Sequence, residues 1–597
     1  MFVERLPALG QTLCAFDSVP PASSRSAWEG LPGDVREQLV ADGEAALVEE
    51  YPALTATRYL DYSRTGNRAR FEADYFTRRR LLNALVLAEC VEHRGRFLDR
   101  IIDGVMLLCE ESGWQLPAHN AQERGGPRMA LPDATRPVID LFAAETGAQL
   151  AMGAALLAAE LDAVSPEIGR RIDHELEQRI FAPYLSRRFW WMGEGEAPMN
   201  NWTAWCTQNV LIAAFSRPIG EERRRRIVEQ AAHSLDAFLK YYGEDGACEE
   251  GVLYYRHAGL CLFNSMVVLA AVAPAAFAPL WREPKLRNMA EYILAMHVSG
   301  RSYFNFGDSS AVLPPCTCRE FLFGRAVGSQ ALADFAAADW ATERRASQPE
   351  EINLFYRVQA AFAVEEMTRH RGARVVQPDC FLESVGIMVA RDERFALAAK
   401  AGHNGESHNH NDVGSVTLYK DGRPLLIDVG VETYTARTFS ADRYDIWTMQ
   451  SGYHNLPSFS GVMQRDGRAH AAGDVVVALD DERAVMSMDI AGAYPPEAKV
   501  RAYRRRVVLE KGQGVEIVDE HEGESAAELS LMFAERPQLR AGRISLPGLA
   551  EIMLDGAGTL RRETIAVEDA RLRTAWPERL YRVLVPLAGS TLGIRIE

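Results

Sequence analysis

Residues 386–430 read GIMVARDERFALAAKAGHNGESHNHNDVGSVTLYKDGRPLLIDVG. The runs flanking the polar block, GIMVARDERFALAAK and SVTLYKDGRPLLIDVG, are short, rich in Val, Leu and Ile, and turned at Asp421-Gly422. That is strand-and-turn chemistry. It continues through DVVVALDDERAVMSMDI, KVRAYRRRVVLEKGQGVEIVDEHEG and TLGIRIE, with further turns at Gly512 and Gly514. Upstream of about residue 370 the pattern differs. The segments 35–49, 77–93, 96–111, 134–161, 166–181, 202–215, 222–241 and 259–272 are rich in Ala, Leu, Glu and Arg, and their apolar residues recur at three and four. Helices in succession, with short Gly/Pro/Asn connections and no β-alternation between them, predict stacked helical hairpins, as a solenoid or a closed toroid. The second part predicts an antiparallel β-sandwich. Two large domains, 1–370 and 371–597, therefore fit the 597 residues better than four small ones.

Composition narrows the function classes. With 47% hydrophobic and 25% charged residues the chain can build large cores, which excludes a disordered or disulfide-stapled protein. Basic residues number 66 against 82 acidic ones, a net charge of −16. This argues against a nucleic-acid partner, and any polyanionic partner requires a local concentration of basic side chains. The longest apolar run, Ser265–Trp281, holds two prolines and is too short for a span, so no membrane partner is expected. Nine irregularly spaced cysteines predict buried free thiols. The N-terminus MFVERLPALG lacks a basic stretch followed by an apolar one, which predicts a cytoplasmic protein, or a periplasmic one if a leader has been removed. Homo-oligomerisation stays open.

Three clusters stand out. His403-Asn-Gly-Glu-Ser-His408-Asn409-His410-Asn-Asp412-Val-Gly414 is too polar for a packed strand. It reads as a solvated loop or as a metal or anion site, since imidazole and carboxylate together suit zinc, iron or nickel. Asp428 ends an apolar strand in LLIDVG, and His454, Asn455 and Ser458 lie in SGYHNLPS. If strands bring His410, Asp428 and His454 together, they supply three protein ligands to a tetrahedral zinc. In the helical part, Asn200-Asn201-Trp202 precedes an apolar helix, where either Asn also reads as an N-cap. The segment Glu249-Glu250-Gly251-Val-Leu-Tyr254-Tyr255-Arg256-His257 and the turn Asn305-Phe-Gly307-Asp308 suit a polar cleft or plain core contacts.

Together these pieces resemble the heparinase II/III-like polysaccharide lyases, and the His-Asn-His-Asn-Asp-x-Gly block at 408–414 is the most specific mark. The resemblance implies a multidomain α+β fold: an N-terminal (α/α) toroid followed by a C-terminal antiparallel β-sandwich. It implies β-elimination at a uronic acid in a glycosaminoglycan, alginate or other acidic glycan, with no organic cofactor. Asn200 or Asn201 would neutralise the substrate carboxylate. Tyr254 or Tyr255 would supply base and acid through a lowered phenol pKa, with Tyr254 favoured by its spacing from Glu250, and His408 would face the substrate as an alternative base. Trp202, Arg256, His257, Asn305, His403 and Asn409 would line the substrate site, with Arg319 and Arg325 as further basic candidates. His410, Asp428 and His454 would hold a structural zinc ion. Two other readings stay open: a glycoside hydrolase on an (α/α) toroid, using carboxylates among Glu249, Glu250 and Asp308, and a non-catalytic acidic-glycan-binding protein.

Overall fold

The structure, a computed structural model, describes every residue except Ser18, Glu194, Arg345, Arg371, Ala373, Arg374 and Val376. The chain divides into two compact units, and the division is not a single cut near residue 370. One unit holds Met1–Tyr241, His257–Ala290 and Pro315–Arg374, and the other holds Tyr242–Arg256, Glu291–Pro314 and Val375–Glu597. Two short segments of the first half thus belong with the β-rich part. Arg371, the first residue of the expected second domain, lies outside the described residues.

The first unit is helical throughout. Its long helices include Gly33–Val48, Ala69–Glu92, Leu98–Cys109, Leu141–Leu156, Asn201–Ser216, Glu221–Tyr241 and Gly259–Val272, followed by Cys318–Val327, Gln330–Trp340 and Leu354–Arg369. Local chemistry sets their starts. Asp140 accepts from the Ala143 N–H, Ser165 accepts from Glu167 with Pro166 in the first turn, and Thr317 and Glu320 form a capping box. The helix expected over 134–161 is shorter, because Asp140 caps it late and the backbone breaks at Leu157. The next helix, Ala158–Val164, departs at 81°. Helix Leu141–Leu156 packs on Asn201–Ser216, which packs on Gly259–Val272, and Leu354–Arg369 packs back on Leu141–Leu156. A buried amide ties three of these together: Asn353 Nδ2 donates to Glu145 Oε1 and Asn209 Oδ1, both at 2.9 Å.

The second unit is built from antiparallel sheets. A five-stranded sheet runs in chain order through Cys380–Leu382, Ile387–Arg391, Phe395–Lys400, Val416–Lys420 and Arg423–Leu426. An eight-stranded sheet begins at the edge strand Gly473–Leu479 and continues through Arg483–Asp489, Val500–Glu510 and Gly514–Gly523 to Thr591–Ile596 and Ala550–Asp555. A four-stranded sheet carries Ala527–Phe533 and Arg579–Pro586 at its centre. The alternation read from the sequence is realised: Ala484, Met486, Met488, Val507, Leu509, Val515 and Ile517 enter one apolar core with Leu397, Leu418, Leu529 and Phe533. All nine cysteines are free thiols, seven of them buried.

One ion pair locks the sheet to the loops beside it. Arg505, 1% exposed at its side chain, meets Asp519 in a two-pronged contact at 2.8 and 2.7 Å. Its remaining Nη1 donates to the carbonyls of Gly414 at 2.8 Å and Asn455 at 2.7 Å. These carbonyls follow the 408–412 block and His454, so the guanidinium fixes both segments from below. Replacing Arg505 with Met leaves the Asp519 charge buried without its partner. We expect a loss of about 3–5 kcal/mol in denaturant unfolding of this unit; an unchanged midpoint would remove Arg505 from this role.

Candidate functional site

The polar residues singled out in the sequence fall into both units. In the helical unit, Asn200 is the N-cap of helix Asn201–Ser216, and its side-chain oxygen accepts from the Trp202 N–H at 3.1 Å. Capping thus occupies the carbonyl of Asn200 and leaves its NH₂ group as the donor. Asn201 is buried in the first turn. Trp202 meets His119 edge-on at 4.7 Å and Trp190 at 5.1 Å, and His257 stacks on Trp205 at 4.4 Å.

In the β-rich unit, the two segments from the first half meet the polar block. Residues 251–256 fold as a tight turn on the 305–309 loop: Gly251 has φ +91°, and a Cβ there would lie 2.6 Å from the Phe306 carbonyl. The Leu253 N–H donates to Ser309 Oγ at 3.1 Å. Gly307, with φ +60°, allows a similar approach to the His408 carbonyl, 2.9 Å from where its Cβ would be. His408 itself is held at φ +56°, a conformation costing a non-glycine residue about 1–3 kcal/mol and concentrated at functional sites.

The convergence point is Asp308, fully buried. Its Oδ2 accepts from His408 Nδ1 at 2.7 Å and from the Tyr434 hydroxyl at 2.9 Å. Its Oδ1 accepts from Arg443 Nη2 at 2.7 Å and His410 Nε2 at 3.1 Å. Burial alone would raise the Asp308 pKa, but the bonds from His408 and His410 and the charges of His408 and Arg443 hold it well below the usual carboxylate range. The Tyr434 hydroxyl also bonds the Tyr254 hydroxyl, and the Arg571 guanidinium lies over the Tyr434 ring at 4.6 Å. The Tyr254 ring stacks on His408 at 4.5 Å between centroids. On the other side of that imidazole, Nε2 lies 3.5 Å from Glu250 Oε2.

The expected lowering of a tyrosine pKa is reversed. Burial, and then the Asp308 charge, push the Tyr254 phenol upward, only partly offset by Arg571, so it stays protonated. His408 is raised as well: burial would lower it, but the bond to Asp308 and the Glu250 charge prevail. Tyr255 turns away into the core, its ring 6.3 Å from that of Tyr292. Several residues expected to line substrate have structural contacts instead. Arg256 is buried and donates to the Pro314 carbonyl at 3.0 Å. Asn305 is fully buried, with Nδ2 on the Asp428 carbonyl at 3.2 Å and Oδ1 at 3.3 Å. Asn409 is buried and donates to the Tyr444 hydroxyl at 3.2 Å. His403 is half-buried and accepts from the Gly405 N–H at 3.1 Å.

A second buried cluster lies beyond His410. Ligand atoms of Asp412, Asp428 and His454 lie within 4.8 Å of one another. Asp428 Oδ2 and His454 Nδ1 are 3.0 Å apart. Among the described residues, Asp412 Oδ2, Asp428 Oδ2, both His454 nitrogens and His410 Nδ1 have no hydrogen-bond partner. Buried polar atoms without partners are costly. Two carboxylates with an imidazole are the donor set a divalent cation satisfies, zinc included. Asp412, absent from the expected trio, belongs to the compact group. His410 stands beside it, its ring 5.5 Å from that of His454. Lys400 balances part of the charge, its Nζ at 2.7 Å from both Asp412 and Glu406.

Sequence reading alone missed Tyr434, Arg443 and Arg571. They sit in stretches without a motif and reach the site only through tertiary folding.

The fold joins a helix-rich unit to a unit of large antiparallel sheets, with a Tyr–Tyr–Asp–His network at the segments the β unit draws from the first half. Residues 376–576 match the family model described as heparinase II/III-like, C-terminal. Along its length the chain resembles the crystal structure of heparinase III, at 12% identity and TM-score 0.60, over 99% of this chain and 93% of that one. It also resembles a mutant heparan sulfate lyase from Pedobacter heparinus, at 14% identity and TM-score 0.56, over 94% and 88%. A chondroitin AC lyase from Streptomyces coelicolor in complex with chondroitin sulphate aligns at 12% identity and TM-score 0.50, over 100% and 82%. No curated protein sequence matches the chain. Residues 376–576 thus carry the heparinase II/III-like C-terminal pattern, and the chain shares the fold of these lyases along its length.

The cation cluster gives a direct expectation. The purified protein should carry about one transition-metal ion per chain, and Asp428→Asn and His454→Ala should lose it by elemental analysis. Equal metal content in wild type and both variants would remove these residues from the site.

Proposed function

We propose that the protein is a lyase that cleaves a uronate-containing glycan by β-elimination, with its helical unit an (α/α) toroid. The observation that carries this reading is the face-to-face pair of Tyr254 and His408, joined through Tyr434 and Asp308. Elimination breaks the C5–H bond and the C4–O4 bond and forms a C4=C5 double bond. It needs one group to take a proton, one to give a proton, and a neutralised carboxylate beside C5. His408 has Nδ1 committed to Asp308, so Nε2 is the atom that takes the C5 proton. Tyr254, kept protonated by burial, gives its proton to O4 as the bond breaks. The motif of the helical unit assigns the carboxylate to the amide of Asn200 or Asn201. Arg443 and Arg571 bring positive charge to a protein of net charge −16.

The cation cluster supplies rigidity to the 408–454 framework when filled, and no proton transfer passes through it. A hydrolase reading that uses Asp308 as its acid is disfavoured, because that carboxylate is fully engaged and held ionised.

A panel of alginate, heparan, chondroitin and hyaluronan oligosaccharides tests the reading. We expect the ultraviolet absorbance of a 4,5-unsaturated uronate to rise on at least one, and Tyr254→Phe to lower kcat by about 10²–10⁴-fold. New reducing ends without that absorbance would replace elimination with hydrolysis. Asn200 allows a separate test: Asn200→Asp keeps the helix cap but presents a negative charge. An unchanged melting temperature with a strong rise in KM for the acidic glycan marks Asn200 as the carboxylate contact, whereas unchanged KM passes that role to Asn201.

A further inference from the structure

Asp308 meets His408 with Oδ2 and His410, which stands beside the cation cluster, with Oδ1. Arg443 Nη2 sits 2.7 Å from Asp308 Oδ1, and a carboxylate ion-paired to a guanidinium accepts hydrogen bonds and donates none. His408 Nδ1 and His410 Nε2, at 2.7 and 3.1 Å, must therefore both carry hydrogens. For His408 this leaves Nε2 as the nitrogen with a lone pair in the neutral ring. For His410 it leaves Nδ1 with the lone pair, and that atom is buried without a hydrogen-bond partner among the described residues. His410 shares its surroundings with His454, ring to ring at 5.5 Å.

We propose that Asp308 is a positioning residue with two roles, fixing the tautomer of His408 through Oδ2 and acting as the outer carboxylate of the cation site through Oδ1 and His410. Carboxylates that orient a metal-binding imidazole from behind are a recurring device, and their loss lowers metal affinity by about 10–100-fold. A carboxylate behind a general-base histidine sets the tautomer of the neutral ring, with the lone pair on the nitrogen that faces away from it. Here one side chain does both, and Tyr434 and Arg443 hold it in place at 2.9 and 2.7 Å. The link is geometric: one carboxylate holds both His408 and His410. The His408 half of this inference rests on the lyase reading, and the cation half does not.

The test is Asp308→Asn in the full chain, loaded with zinc. Its amide NH₂ would face one imidazole as a donor and force the opposite tautomer there. The expected result has three parts. Nitrogen NMR of histidine-labelled protein, at a pH where the ring is neutral, shows His408 carrying hydrogen at Nδ1 in wild type and at Nε2 in the variant. Competition with a chelator shows zinc held about 10–100-fold more weakly in the variant. On the glycan that wild type cleaves, kcat falls while KM changes little. Hydrogen at Nε2 of His408 in the wild-type spectrum would overturn the proposal even if the variant fails to fold. Unchanged zinc affinity in a folded variant would overturn the cation half. If wild type cleaves no acidic glycan, the lyase reading falls, while the spectrum and the chelator competition still decide the role of Asp308.

Discussion

A carboxylate taken out of water must be given hydrogen bonds or lose its charge. At Asp308 the fold meets that demand in full. An ionised carboxylate has about four acceptor positions, and His408, Tyr434, His410 and Arg443 fill them. The four donors come from three segments: the 403–412 loop, which supplies both histidines, the stretch around 434 and the helical turn at 441–445. Meeting one buried charge therefore fixes the mutual positions of several loops, and it accounts for the tolerated left-handed backbone at His408. The adjoining glycines, Gly251 and Gly307, serve the same end by letting two backbones approach within contact of their neighbours.

The contrast with the neighbouring cluster is instructive. Asp412, Asp428 and His454 are as deeply buried as Asp308, yet they keep atoms with no hydrogen-bond partner among the described residues. Complete satisfaction on one side of His410 and incomplete satisfaction on the other separate a site finished by the chain from one whose donor set could hold an ion.

Much of this was legible in the sequence, for physical reasons. The change from a three-and-four repeat to alternation near residue 370 reports which faces are buried, and the helices and strands follow it. The cap at Asn200 and the helix start at Pro166 are local events, set within a few residues. The polar block at 403–414 announced itself because histidine, asparagine and aspartate in such density do not pack in a strand. Asp428 is marked by ending the apolar run LLI, and His454 by the polar stretch SGYHNLPS. Tyr434, Arg443 and Arg571 carried no such mark. Their roles depend on where chain segments far apart in sequence are brought, and a lone Tyr or Arg in a polar stretch looks like any solvated residue. Asn305, Asn409 and Arg256, in motif-like surroundings, hold backbone carbonyls and neighbouring side chains inside the fold, contacts that local sequence does not reveal.

The interleaving of the chain has a consequence for how the β-rich unit comes into being. Tyr254 and Asp308 are translated well before the strands that surround them, and they are separated from Val375 by helices of the other unit. On the ribosome these two segments wait, without their final partners, until the last sheets emerge. A fragment cut at the change of pattern near residue 370 would keep the large sheets, the polar block and the cation ligands. It would lack both the phenol and the carboxylate around which the histidines are arranged. The natural-looking domain boundary is thus a poor place to divide the protein, since the hydrogen-bonded network of Tyr254, Tyr434, Asp308 and His408 is encoded on both sides of it.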